Sequence, residues 1–508
     1  LTPDSGRQAE EAYVEAWTWI ALAAALFVLA AFVLIPLVGT AASYAYYPGF
    51  LDHGEPSTML IGWRVVHGLP AYPPFDAAER ITNIYGPMAY LPGGLLMALF
   101  GPELWAAKAF PAAAAVAAAI VVAWSRRPDG WTWAAAALTL AVGFTLLHLP
   151  APLWNRPDSL VAVAVAAAVL AMNAAESGKP EHAKSALIAL LAGVAAGAKL
   201  HAALYFVPVA LAHAHGRGTK TLALMGGVGL LTVLAPFALP PFSLADYLTW
   251  FPKVAGKEHN WNIFFKVLRY ALFYMAPVLP FALARTWRGP VHGRRETVYL
   301  ASFLACLGLT LLPASKPGAG IHYLYPFMPL AVDLVMRNAR RLMTADRKLV
   351  VGAVGVLAAA LFMVDTPIQQ RFFRALHWEE SRAIGGELRR IMAAYPGRTI
   401  EMGVGERVES YPKTFLRPLL VTAGHPYSFD AAIVTETVAM GIPLPRETVE
   451  RVRACRTDLW LVPKGERPFA MTGYYATRVF DEEFRAAFVQ AYEKAASFEV
   501  FDVWACRR

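Results

Sequence analysis

Along its first 365 positions the chain alternates between unbroken apolar runs, rich in Ala, Leu and Val, and short polar connections. Runs of about 15 to 22 residues match helices that cross a hydrocarbon core of about 30 Å. Spans are predicted near 17–39, 105–125, 131–148, 158–175, 185–198, 200–214, 220–240, 268–285, 297–313, 323–336 and 348–364. A β-barrel is excluded, because the runs are continuous and do not alternate between apolar and polar positions as barrel strands do.

Two regions break this pattern. Residues 40–104 form a long first loop, in which "YGPMAYLPGGLLMALFG" is apolar but short and interrupted by Pro92, Gly93 and Gly94. Such a segment suits an interfacial or re-entrant position better than a full crossing. From about residue 366 the composition becomes that of a soluble domain. There "AAIVTETV", "DLWLVP" and "FEVFDVWAC" read as strands, and "SRAIGGELRRIMAAY" and "DEEFRAAFVQAYEKA" read as amphipathic helices. The fold class expected is therefore a polytopic α-helical membrane protein of about eleven spans, residues 1–365, followed by a C-terminal extracytoplasmic α/β domain, residues 366–508.

Composition agrees: of 508 residues 57% are hydrophobic and 16% charged, against about 25% charged in soluble domains. The net charge of +9 raises nucleic acid as a partner. It is excluded because the basic residues lie mostly between spans, where they act as topology signals. Arg126 and Arg127; Lys179 and Lys184; Arg217 and Lys220; Arg285, Arg288, Arg294 and Arg295; and Arg337, Arg340, Arg341, Arg347 and Lys348 fall in five such connections. Those connections are expected at the cytoplasmic face, which places the N-terminus inside and both the first loop and residues after 365 outside. The acidic stretch before the first run, with Asp4, Glu10, Glu11 and Glu15, does not read as a secretory signal. Ala-, Arg- and Gly-rich usage suggests a bacterial inner membrane. Of three cysteines, Cys306 falls in a span, whereas Cys455 and Cys506 both flank strands of the exported region. They read equally as a disulfide or as two thiols.

Candidate chemistry gathers on the outer face. Asp52 and Glu55 follow the first span in "YYPGFLDHGEP", where ordinary loop carboxylates are the simpler reading, but the surroundings are apolar and the membrane is near. Asp158 in "NRPDSL" opens the fourth span, where an acid also serves as a helix N-terminal charge. Cations share this face: Arg64, Lys199, His201, Lys253, Lys257, Lys316 and His322. Most read individually as snorkelling side chains, yet Lys199 occupies a very short apolar turn. Carboxylates facing cations are what transfer from a lipid phosphate requires: a base for the acceptor hydroxyl and positive charge for the leaving phosphate. No G-x-x-x-x-G-K-[ST] loop is present.

An acid shortly after the first span, the broken segment "NIYGPMAYLPGGLLMALFG", an Arg-Arg turn after the next span and "NRPDSL" together resemble the GT-C superfamily of membrane glycosyltransferases. The resemblance is strongest to the bacterial polyprenyl-phosphate-sugar-dependent members, the lipid A aminoarabinose transferases and protein mannosyltransferases. It implies that Asp52 is the catalytic base, that Asp158 organises the site and that Glu55 is a second acid or a neighbour. Some members hold a divalent metal, Mg or Mn, on such acids, so Asp52 and Asp158 are the metal candidates. The chain departs from the aminoarabinose pattern where a Lys-Pro-Pro is expected, reading instead "NIYGPMAY" with Asn83 and Tyr85. The donor phosphate is then expected at Lys199, Lys316, Arg64, His322 and Tyr85. The implied partners are a polyprenyl-phosphate sugar donor and a lipid, glycan or protein acceptor, and the implied stereochemistry is inversion. A rival class is a transporter or flippase, which expects charges near mid-span; a lipid-phosphate hydrolase would use the same cations with water as acceptor.

Overall fold

A computed structural model describes residues 3–174, 181–288, 293–342, 347–473 and 478–507. Lys179 of the second basic connection lies outside the described residues. Helix α1 (Pro3–Tyr46) leads into the first loop, which contains two helices of its own, α2 (Gly54–Val66) and α3 (Leu91–Phe100). There follow α4 (Leu104–Trp124), α5 (Trp131–Leu147), α6 (Asp158–Asn173) and α7 (Glu181–Ala198). Next come α8 (Ala203–Ala214), α9 (Thr219–Leu234), α10 (Leu244–Ala255) and α11 (Trp261–Arg288). The bundle closes with α12 (Arg294–Ala314), α13 (Met328–Leu342) and α14 (Arg347–Ala375).

Each segment predicted as a span overlaps one of these helices, with ends that differ among the described residues. Among the described residues, five helices are long and apolar enough to cross a membrane, and α5, α6 and α8 are shorter apolar helices packed among them. The chain is a polytopic helical membrane protein. Alanine explains the close packing of α4 on α6: Ala112, Ala115 and Ala119 face Ala162, Ala166 and Ala168 in one buried cluster, and small side chains let helix backbones approach where no hydrophobic effect drives them together. The span expected at 323–336 starts late, because "IHYLYPF" (Ile321–Phe327) winds as a 3-10 segment before α13 begins; a proline inside the segment removes a backbone donor that an α-helix would use.

The broken apolar segment forms α3, at about 15 Å too short to cross a 30 Å core. It crosses α2 where both helices lack side chains: a Cβ on Gly94 would lie 2.7 Å from the Gly62 carbonyl oxygen. Its other face leaves Leu95, Leu99 and Phe100 exposed, as an interfacial helix requires.

Beyond α14, helices α15 (Trp378–Ala394), α16 (Pro418–Val421), α17 (Ala431–Val438), α18 (Arg446–Arg453) and α19 (Glu482–Ala491) surround a four-stranded sheet. Its strands are β1 (Ile400–Met402), β2 (Leu459–Pro463), β3 (Tyr492–Ser497) and β4 (Phe501–Cys506), in the order β1-β2-β4-β3. The β1–β2 pair is parallel and the others antiparallel. Strands β2 and β4 are the expected "DLWLVP" and "FEVFDVWAC". "AAIVTETV" is instead helical: the Asp430 carboxylate accepts from Ala432 N at 2.8 Å and caps α17, so a local cap outweighs the β-branched composition. The helix expected over "DEEFRAAFVQAYEKA" stops at Ala491, and Tyr492–Ser497 pairs with β4. Cys455 and Cys506 form a disulfide with Cα atoms 5.8 Å apart.

The first loop is stitched to this sheet region. Arg80 N donates to Ser428 O at 3.0 Å and Asp430 N to Arg80 O at 2.8 Å. Ser57 donates to Asp430 at 2.8 Å, Thr448 to Ala78 O at 2.6 Å, and Phe50, Met59 and Met97 join the core of the sheet region.

Candidate functional site

The turn between α1 and α2 is built around Glu55. Fully buried, its carboxylate accepts from Leu51 N at 3.1 Å, Asp52 N at 3.0 Å and Asn155 N at 2.8 Å, and from the Tyr44 hydroxyl at 2.6 Å. Lys108, buried in α4, donates to the Tyr47 and Gly49 carbonyls beside it. Burial pushes the Glu55 carboxyl above its ordinary range, against the opposing pull of its hydrogen bonds and of Lys108. With all its acceptor positions facing backbone and Tyr44, Glu55 is a structural hub that fixes the Asp52 turn against the Asn155 segment.

That segment delivers Arg156 to Asp52. Arg156 Nε lies 3.3 Å from Asp52 Oδ1, which also accepts from Gly54 N at 2.9 Å. Burial opposes ionisation of Asp52, but Arg156, His53 and the Gly54 amide together hold its carboxyl below the usual range. Two residues on, Asp158 opens α6 and pairs with Lys199 at 2.8 Å, and both are buried. The Lys199 ammonium stands 3.8 Å from the Tyr323 ring centre and 5.9 Å from that of Tyr85, a cation–π position. Tyr85 reaches Lys199 because Gly86 lies against α7: Gly86 N donates to Ala198 O at 3.0 Å, and a Cβ on Gly86 would meet the Gly197 oxygen at 2.2 Å.

These groups border a cavity of about 390 Å³ at one end of the bundle. His53, Gly54 and Thr82 to Tyr85 of the first loop line it, with Arg156, His201, Tyr323, Lys257 and Lys316. Ala432, Ile433 and Glu436 of α17 complete the wall. Lys316 donates to Ala255 O at 2.8 Å, and Lys257 pairs with Glu436.

The predicted site residues are thus distributed unevenly. Lys316 and Tyr85 line the cavity, Asp52 does not line it but pairs with Arg156, which does, and Asp158 with Lys199 lies behind the Tyr323 and Tyr85 rings. His322 is buried beside Trp154, ring centres 5.9 Å apart, and burial together with Lys199 and Arg156 holds its imidazole well below its ordinary range. Arg64 lies apart, at the end of α2, with Nε donating to Pro70 O at 3.3 Å. Glu55 points away from the cavity. A divalent metal fits this donor set poorly: Asp52 Oδ1 faces a guanidinium and Asp158 Oδ1 an ammonium, and among the described residues no three metal-ligating side chains cluster.

No protein-family model and no curated protein sequence matches the chain. Solved structures do. ArnT from Cupriavidus metallidurans bound to undecaprenyl phosphate superposes with a TM-score of 0.60 at 14% identity, over 96% of this chain and 98% of that one. Its apo form gives 0.58 at 13% identity, over 97% and 98%. The apo oligosaccharyltransferase of Archaeoglobus fulgidus gives 0.52 at 12% identity, over 93% of this chain and 74% of that one. The fold is that of the GT-C glycosyltransferases.

Within this GT-C fold, Arg156, Lys257 and Glu436 are the residues that sequence reasoning left without a role. Arg156 was within reach, since it stands two positions before Asp158 in "NRPDSL". Lys257 and Glu436 come from segments with no motif in common, and only the packing of α17 over the bundle brings them together.

Proposed function

We propose that the protein is a glycosyltransferase that moves a sugar from a polyprenyl-phosphate donor to a lipid, glycan or protein hydroxyl at the outer membrane face. The observation carrying this reading is the cavity at the bundle end, walled by Arg156, Lys257 and Lys316, with the Asp52 carboxylate paired to Arg156 of that wall. It is supported by a fold shared with a protein crystallised with undecaprenyl phosphate.

In this mechanism the donor tail lies between helices and its phosphate enters the cavity among Lys316 and Arg156. Asp52 accepts the proton of the acceptor hydroxyl as that oxygen attacks the anomeric carbon. The bond from the anomeric carbon to the phosphate oxygen breaks, its electron pair stays on the phosphate, and the neighbouring cations balance the charge that develops there. Attack from the side opposite the phosphate inverts the anomeric centre. Asp158 and Lys199 act as a positioning pair behind the Tyr323 and Tyr85 rings. No step is routed through a metal.

The orientation follows the same reading. Arg126, Lys184, Arg217, Arg295 and Arg337, one from each basic connection, converge at the end of the bundle opposite the cavity, as cytoplasmic charges would. The transporter reading is less favoured, because Asp333, which by sequence lies inside a span, pairs with Arg126 at 2.7 Å and Arg337 at 2.7 Å at that same end. The test is transfer from a panel of polyprenyl-phosphate sugars by the purified protein, with Asp52→Asn as control. Turnover by the parent and its loss in the variant supports the reading; a solvent-continuous path with substrate flux and no transfer overturns it.

A further inference from the structure

A second cavity, of about 470 Å³, opens at the other end of the bundle, some 24 Å away by the length of α6. Its wall carries Arg126, Lys184, Arg217, Arg295, Arg337 and Arg340, joined by Arg341, against the acids Asp129 and Glu181. Among the described residues, the acids on and near this wall are already engaged. Asp333 is shared by Arg126 and Arg337, Asp129 by Arg126 and Arg340, Glu181 by Lys184 and Arg217, and Glu296 pairs with Arg341.

Charges that only mark the cytoplasmic side need no pocket and gain nothing by leaving water. Here two of them turn inward. Arg126 is 5% exposed and Lys184 8%, and desolvating a cation is costly without compensation. The Arg126 Nε has no hydrogen-bond partner. Arg295 donates through Nε to Ala212 O at 2.9 Å and has no carboxylate within ion-pair distance among the described residues. Among the described residues, several guanidinium groups therefore share one cavity with fewer acids than cations, and planar guanidinium donors match a phosphate group in both charge and geometry. The volume suits one small ligand.

We infer that this cavity is a binding site for a phosphate-bearing anion, separate from the cavity at the opposite end. The phosphate can belong to the headgroup of an anionic lipid of the adjoining leaflet or to a soluble phosphate compound; the chemistry of recognition is the same.

The test uses the full chain, purified and exchanged into neutral detergent. Inorganic phosphate is titrated at constant ionic strength against chloride, following the thermal unfolding midpoint. In parallel, the protein in phosphatidylcholine nanodiscs doped with phosphatidylglycerol is examined by native mass spectrometry. The expected result is saturable stabilisation by phosphate, retention of phosphatidylglycerol, or both. Arg295→Gln should weaken it about tenfold, as loss of one charge-assisted contact does, whereas Arg382→Gln, at an exposed arginine that lines neither cavity, should leave it unchanged. Arg217→Gln is the second variant should Arg295→Gln not fold. Retention of lipid without a phosphate effect assigns a headgroup, and the reverse assigns a soluble ligand. No preference for phosphate over chloride together with no lipid retention overturns the site, as does stabilisation that is lost in Arg382→Gln but not in Arg295→Gln or Arg217→Gln.

Discussion

Asp158 and Lys199, 41 residues apart in the chain, hold each other at 2.8 Å in a buried ion pair. From the sequence, Asp158 is expected to organise the site and Lys199 to meet the donor phosphate; in the proposed mechanism their pairing gives both the first role. Removing one partner leaves the other charged and unpaired in the interior, at a cost of about 3–5 kcal/mol. Lys199→Met and Asp158→Asn should each lower the thermal midpoint sharply, and the double variant should recover part of the loss. Equal additivity of the two losses, measured as a double-mutant cycle in detergent, would contradict the pairing.

Asp52→Asn tests the base directly. A general base contributes about 10²- to 10⁴-fold, so kcat should fall by that range while donor binding stays near that of the parent. Full turnover in the variant would move the base elsewhere.

In the proposed mechanism Arg156 sets the pH at which Asp52 works as the base. Burial favours the protonated form of Asp52, and Arg156 is the leading influence against it. In Arg156→Gln the Asp52 carboxyl should rise, so protonated, inactive enzyme persists to higher pH. The acid limb of kcat/KM should therefore move upward, a displacement read from rates between about pH 4 and 8. A limb that stays put while activity falls would make Arg156 a phosphate contact only.

Closing a loop of 51 residues, the Cys455–Cys506 disulfide should contribute about 4 kcal/mol on chain-entropy grounds. Cys455→Ser or a reductant should loosen the sheet region before the bundle, seen as early proteolysis around residues 440–500 with the helices intact.

How much of this was legible follows from what constrains each residue. The bundle helices could be read because the bilayer demands that every backbone group be satisfied within its own segment, which leaves long apolar runs no alternative. Outside the bilayer that constraint lapses. "AAIVTETV" became helical through one capping side chain, Asp430, and the end of "DEEFRAAFVQAYEKA" became β3 through pairing with β4. Asp52 was legible as a carboxylate near the membrane and is found beside the cavity. Glu55, three positions on, looked the same in sequence. Its burial depends on Tyr44, Asn155 and Lys108 from three separate helices or connections, and nothing local encodes that.

The backbone exchange between Arg80 and the 428–430 segment also sets an order of assembly. Ribosomes release residue 80 long before residue 436, so the bundle can be inserted while one wall of the cavity has not yet been made. A nascent chain halted before Ser428 would present its spans intact and its cavity unroofed. The complete cavity should therefore arise late during synthesis, when α17 docks.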